Sequence, residues 1–135
     1  FTRMASVGDD IVHRAVRVED NSVNGVEPSW HQIEGRAVTE GRPISLIDNE
    51  QARPVCLINP AMRDRLRLGR NCVGESIMIG KERFLVIGLL EETTQSGMFG
   101  RTGENLECYV PFNTMWRRYR IFSIQVEAAS RSNRG

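Results

Sequence analysis

Apolar and polar positions fall into short blocks along this chain, and each block predicts one element. "IVHRAVRV", Ile11 to Val18, is rich in β-branched residues with partial alternation and runs into the turn-forming "EDNS" and a short "VNGV". That pattern predicts an exposed or edge hairpin. "VEPSWHQIEG" has Pro28 where a first helical turn accepts proline and Gly35 where a left-handed residue ends a helix, so a helix of one or two turns should carry Trp30 and Ile33 inward. "EGRPIS" turns the chain, and "LIDNEQAR" reads as a polar surface loop leading into the strand Val55 to Ile58. Asn59 and Pro60 then start a helix, as cap and first-turn residue, with Met62 and Leu66 on one face and Gly69 closing it.

The most apolar stretch comes next. Ile77 to Ile79 and Phe84 to Leu90 flank Gly80-Lys81-Glu82, which predicts a hairpin whose second strand is central because both of its faces are apolar. "ETTQSGMFGRTGEN" follows, glycine-rich and without a period, and predicts a long mobile loop with Met98 and Phe99 at its tip and Arg101 close by. A strand at "LECYVP", a short helix from Asn113 to about Tyr119, a last strand at "IFSIQVEA" and a polar tail complete the chain. Nothing repeats. Together the blocks predict one domain spanning residues 1–135, built of strands and short helices.

Composition narrows the function classes. Eighteen Lys and Arg against seventeen Asp and Glu leave a formal charge of +1, too little to supply a long-range field for nucleic acid or an anionic membrane. The longest apolar run, Phe84 to Leu90, falls far short of the roughly 20 residues a membrane helix needs. The chain opens Phe1-Thr2-Arg3 with no initiator Met or signal segment, which reads as a piece excised from a longer protein. Three cysteines, Cys56, Cys72 and Cys108, are an odd number at wide spacing; buried structural thiols are the expectation, with a disulfide as the alternative.

Candidate chemistry is sparse. His13 and His31 lie 18 residues apart and no Cys-x-x-Cys or His-x-x-x-His occurs, so no metal site is expected. Gly74-Glu75-Ser76 enters a strand with no helix after it, unlike a nucleophile elbow. "GMFGRTG" lacks the Gly-Lys-Ser/Thr ending of a phosphate loop. The pairs Asp9-Asp10 and Glu91-Glu92 diverge along strands rather than converging as acid and base. Cys72, in a loop-like context and open to exposure, is the least implausible nucleophile of a small hydrolase, with only Arg70 close in sequence to hold a thiolate. No catalytic residue, cofactor or metal is expected. "MWRRYR" interleaves Trp116 and Tyr119 with Arg117, Arg118 and Arg120, the chemistry of a single-stranded nucleic-acid module. The competing reading docks Met115, Trp116 and Tyr119 into the core and leaves the arginines in water.

Four segments in order carry a resemblance: "GVEPSWHQIEGRAVTEGRPIS", "PVCLINPAMRDRL", "VGESIMIGKERFLVIGLLEE" and "CYVPFNT". Across roughly residues 23–116 they resemble the MacB-like periplasmic core domain of ABC-transporter permeases, of the FtsX-like kind, with Trp30 where the pattern has Phe or Tyr and its aspartate displaced to Asp48. The resemblance implies an α+β fold, a mixed β-sheet with short helices in which a β-rich lobe is joined to a β-α-β lobe. It implies a non-catalytic domain between the first and second transmembrane helices of a permease, on the extracytoplasmic (periplasmic) face of the bacterial cytoplasmic membrane. It also implies partners: the rest of the permease, a separate cytoplasmic ATPase, a second permease copy, and a periplasmic adaptor or lipoprotein carrier. Met98, Phe99 and Arg101 are the expected partner-binding residues, since exposed apolar tips on loops often mark contacts.

Overall fold

The computed structural model describes residues 3–92 and 105–118. The opening hairpin is longer than its pattern suggested. Strand β1 (Met4–His13) pairs antiparallel with β2 (Val16–Val26), and the chain reverses at Arg14-Ala15, inside the block that reads as one strand. "EDNS" does not turn the chain. Between the pairs Asp9↔Asn21 and Ile11↔Val18 the register shifts, leaving a bulge on β2 where Asp20 takes φ 52°. Asp10 supports it, its Oδ1 accepting the Asp20 N–H at 2.9 Å, so turn-forming residues are used for a kink within a strand.

Helix α1 (Trp30–Glu34) ends at Gly35, φ 65°, as expected. Trp30 is buried, but Ile33 is 55% exposed, contrary to the inward pair. A helix of little more than one turn has only one line of contact with the sheet, and Trp30 occupies it by stacking on Tyr109 at 4.5 Å. Strand β3 (Val38–Gly41) follows, unforeseen because three of its four residues are exposed. Leu46 to Glu50 is helix α2 rather than a loop. Its signal is the capping box: Ser45 Oγ accepts the Asp48 N–H at 3.1 Å, and the Asp48 carboxylate accepts the Ser45 N–H at 2.8 Å.

Strand β4 (Val55–Ile58) leads to helix α3 (Pro60–Arg65), with Asn59 capping the Met62 N–H at 3.0 Å. Met62 and Leu66 are fully buried. The helix is closed by Arg67 in the left-handed conformation, φ 59°, two residues before Gly69. Strand β5 (Ser76–Ile79) turns through Gly80-Lys81 into β6 (Glu82–Leu90), as the pattern predicts. Strand β7 (Cys108–Pro111) and helix α4 (Phe112–Arg118) complete the described fold. The strand expected at "IFSIQVEA" lies outside the described residues.

The seven strands among the described residues form one mixed sheet in the order β3-β6-β4-β7-β2-β1-β5, and β5 also pairs with β6. The sheet therefore closes on itself. Strands β5 and β3 share one edge of β6, at residues 82–85 and 88–90, while β4 takes the other edge. The β1–β2 hairpin is consequently interior to a ring: β2 has β7 as its second neighbour and β1 has β5. The expected mixed α+β sheet with short helices is present, and the parallel pair β4 and β6, joined through α3 and β5, is its β-α-β part.

Two cores lie on opposite faces of the same strands. One joins Ile11, Val23, Cys56, Ile58, Ile77, Phe84, Val86 and Val110 to Met62 of α3, Leu66 just past its end and Met115 of α4. The other packs Val26, Val55, Leu57, Ile87 and Tyr109 under Trp30 and Ile44. Alternation along β4 assigns Cys56 and Ile58 to the first and Val55 and Leu57 to the second, which is why that strand reads as unbroken apolar sequence.

Candidate contact surface

The segment expected to meet a partner, with Met98, Phe99 and Arg101, lies outside the described residues. What the structure defines is the platform from which it departs and to which it returns. Glu91 ends one stem and Asn105 to Glu107 begins the other. Both are gripped by Arg36, just past the end of α1. Its guanidinium meets Glu107 through Nη2 to Oε1 at 2.8 Å and Nη1 to Oε2 at 3.3 Å, and Nη2 also donates to the Glu91 carbonyl at 3.0 Å.

Asn59 holds the second stem from below. Its Oδ1 accepts the Glu107 N–H at 3.1 Å as well as the helix-capping Met62 N–H at 3.0 Å, and its Nδ2 donates to the Asn105 carbonyl at 2.6 Å. Tyr109 Oη donates to Glu107 Oε2 at 3.3 Å. The Arg36 and Glu107 side chains are only 12% and 13% exposed, so the pair is close to a buried ion pair.

Electrostatics holds Tyr109 and Arg36 in single charge states. Burial pushes the Tyr109 phenol up to about 12, aided by the Glu107 carboxylate. Burial alone would lower Arg36, but the Glu107 carboxylate holds it above its ordinary value. A phenol that stays protonated and a guanidinium that stays charged, both bound to the Glu107 carboxylate, fix geometry and offer no proton for exchange at neutral pH. Nearby, His31 Nε2 accepts the Ile44 N–H at 3.2 Å, and burial lowers its pKa, so the neutral ring links α1 to the segment before α2.

That segment is anchored a second time. Arg42 clasps the buried Asp48 carboxylate through Nη1 to Oδ2 at 2.6 Å and Nη2 to Oδ1 at 3.2 Å. Burial would raise the Asp48 carboxyl, but Arg42 and Ser45 together hold it below the usual value. The displaced aspartate thus binds its own turn.

Of the other candidates, Cys56 and Cys108 meet the expectation of buried free thiols and Met115 that of a core residue, whereas Cys72 departs from its loop-like, open reading. Cys72 is fully buried, not exposed, and burial pushes its thiol up, away from the thiolate a hydrolase would need. Cys56 and Cys108 are also fully buried and free. Met115 enters the core and Trp116 is half-buried. Arg118 is engaged by Glu82 at 2.6 Å and lies over the Phe84 ring at 5.5 Å, so it is not offered to a nucleic acid. Tyr119 and Arg120 lie outside the described residues. Among the described residues no three His, Cys, Asp or Glu side chains are grouped to hold a metal ion, and no helix is long and apolar enough to cross a membrane.

Reading by residue type missed Arg36 and Glu107. Their signal was a charged residue one position past a helix-ending glycine, and a glutamate alternating with Tyr109 on a strand whose other face is Cys108 and Val110.

The mixed sheet with a few short helices matches the fold of two solved extracytoplasmic regions. The periplasmic region of MacB from Actinobacillus actinomycetemcomitans superposes with a TM-score of 0.73 at 19% identity, covering 86% of this chain and 49% of that one. The extracellular domain of the noncanonic ABC-type transporter YknZ from Gram-positive bacteria gives 0.73 at 20% identity, covering 87% of this chain and 57% of that one. The chain belongs to the MacB-like periplasmic core domain family, whose model matches residues 2–134. Among curated relatives, the macrolide export ATP-binding/permease protein MacB of Aggregatibacter actinomycetemcomitans is 24% identical over 113 residues, 81% of this chain and 17% of the relative. MacB of Salmonella paratyphi A is 26% identical over 95 residues, 70% of this chain and 14% of the relative. The chain thus spans under a fifth of these relatives' length.

Proposed function

We propose that this domain works outside the cytoplasmic membrane as the non-catalytic contact module of an ABC-transporter permease, between its first and second transmembrane helices. It meets a partner or substrate and passes on movement driven by ATP hydrolysis in a separate cytoplasmic ATPase. The observation that carries this reading is the family match across residues 2–134. The closed sheet supports it mechanically, because packed elements shift between discrete arrangements rather than deforming continuously.

In this reading the 93–104 segment, with Met98, Phe99 and Arg101, touches the partner, and the clamp of Arg36, Glu107 and Asn59 fixes its base. The partner is a periplasmic adaptor, a lipoprotein carrier or a second permease copy. The test has two parts. Reading the parent gene on both sides should show one apolar run of about 20 residues upstream and a group of three downstream; flanks without such runs overturn the permease reading. Replacing Met98 and Phe99 by Ser in the whole permease should leave its abundance unchanged and weaken transport; unchanged transport removes the segment from the mechanism.

A further inference from the structure

One end of the molecule concentrates positive charge, although the whole chain carries only +1. His13, at the tip of the β1–β2 hairpin, has its Nδ1 2.9 Å from the Leu66 carbonyl at the end of α3. This contact brings the next residues along each segment, Arg14 and Arg67, to the same end of the fold. Three residues on is Arg70, and Arg83 of β6 lines the same surface cleft as His13, Arg14 and Glu75. Arg14, Arg67, Arg70 and Arg83 are all exposed, and no ion pair engages any of them among the described residues. The nearby carboxylates are few. Glu75 is half-buried in the cleft, Asp64 is held by Arg63 at 3.0 Å, and Glu40 lies toward Arg63 and Cys72.

Two of these arginines occupy positions that local geometry assigns to glycine. Arg14 is the first residue of a two-residue hairpin turn and has φ 55°. Arg67 has φ 59° and ends α3 in a double-bonded cap, with Leu68 N–H on the Arg63 carbonyl and Arg67 N–H on the Asp64 carbonyl, each at 3.1 Å. A side chain bearing a Cβ is strained at both, yet both carry the same long cation at the same end of the fold.

We propose that this end of the domain docks an acidic protein surface, with the guanidiniums of Arg14, Arg67, Arg70 and Arg83 receiving carboxylates of the partner. Arginine alone supplies the charge, and its planar fork matches carboxylate geometry. A membrane is the poorer occupant. Near the cleft Val73 on the adjoining loop and Leu85, two residues along β6 from Arg83, are exposed large apolar side chains; two isolated aliphatic groups offer little to insert into a bilayer, and the low overall charge supplies no long-range attraction to lipid. The inference does not depend on transport or on the 93–104 segment.

The test is binding of a fluorescently labelled glutamate-rich peptide, read by anisotropy, beside co-sedimentation with phosphatidylglycerol vesicles. The Arg14→Gly/Arg67→Gly variant relieves backbone strain, so its melting temperature should hold or rise while peptide affinity falls by about tenfold. Arg117→Gln, an exposed arginine elsewhere, should bind as the parent does. Salt should weaken the parent's binding more than the variant's. Equal affinity in parent and variant overturns the proposal, as does absence of peptide binding, or vesicle binding in its place.

Discussion

Arg36 and Glu107 lie 71 residues apart and meet through two hydrogen bonds, and the same guanidinium reaches the Glu91 carbonyl, so one side chain closes both stems of the 93–104 segment. Removing one partner strands the other charge in a nearly closed site. Arg36→Ala and Glu107→Ala should each cost about 3 kcal/mol, while the double variant costs less than their sum. A double-mutant cycle by urea denaturation measures the coupling; additive losses would mean that the pair is not a clamp.

The Arg42 and Asp48 clasp gives a pH dependence of fixed sign. Because the folded Asp48 carboxyl titrates below its ordinary value of 3.8, its contribution is complete above that value and is withdrawn as the pH falls toward the lowered one. Asp48→Asn should destabilise the protein at neutral pH by about 2 kcal/mol, and the difference from the parent should shrink in acid. Denaturation midpoints of both proteins across that acid range decide the matter.

Gly41 and Gly88 face each other across β3 and β6. Gly41 has φ 79°, and a Cβ there would fall onto the Ile87 carbonyl oxygen; one on Gly88 would lie 2.7 Å from the Arg42 carbonyl oxygen. Gly35, φ 65°, has open space around it. Gly41→Ala should therefore cost well over the roughly 1 kcal/mol expected of Gly35→Ala from positive φ alone. Comparing the two melting temperatures separates collision from torsional strain.

The three thiols should be silent in the folded protein. The Cys108 thiol hydrogen-bonds Cys56 and, with burial, pushes it well above the ordinary thiol range. Register argues against a bridge: Cys108 is opposite Ile58, so Cys56 is its diagonal neighbour, at a spacing of about 7–8 Å between Cα atoms that strains a disulfide. An aromatic disulfide reagent should detect no thiol under native conditions and all three after denaturation, without a reductant.

How legible the fold was depended on where the determining interactions lie. β4, α3 with its Asn59 cap, and the hairpin through Gly80 were readable because cap, turn and apolar periodicity sit within a few residues of one another. The hairpin reversal at Arg14 was not, because that turn uses an arginine at a glycine position, and the bulge at Asp20 depends on Asp10 across the strand pair. Helix α2 carried a readable sign in Ser45 and Asp48, obscured by the exposed Leu46 and Ile47. Ring closure through β5 rests on the register Ile11↔Ile79, which no local pattern encodes. The clamp joining Arg36, Asn59 and Glu107 is likewise a long-range arrangement, and the residues expected to bind a partner gave no hint of what holds their base.

Sidedness in the whole permease is the most direct measurement. The three thiols of this domain are buried, so in a permease whose cysteines outside the domain are replaced by Ser, Lys81→Cys at the exposed β5–β6 turn supplies a single reporter. A membrane-impermeant maleimide applied to intact spheroplasts should label this variant and leave the parent unlabelled. Labelling that appears only after the membrane is broken would place the domain on the cytoplasmic side and contradict an extracytoplasmic role.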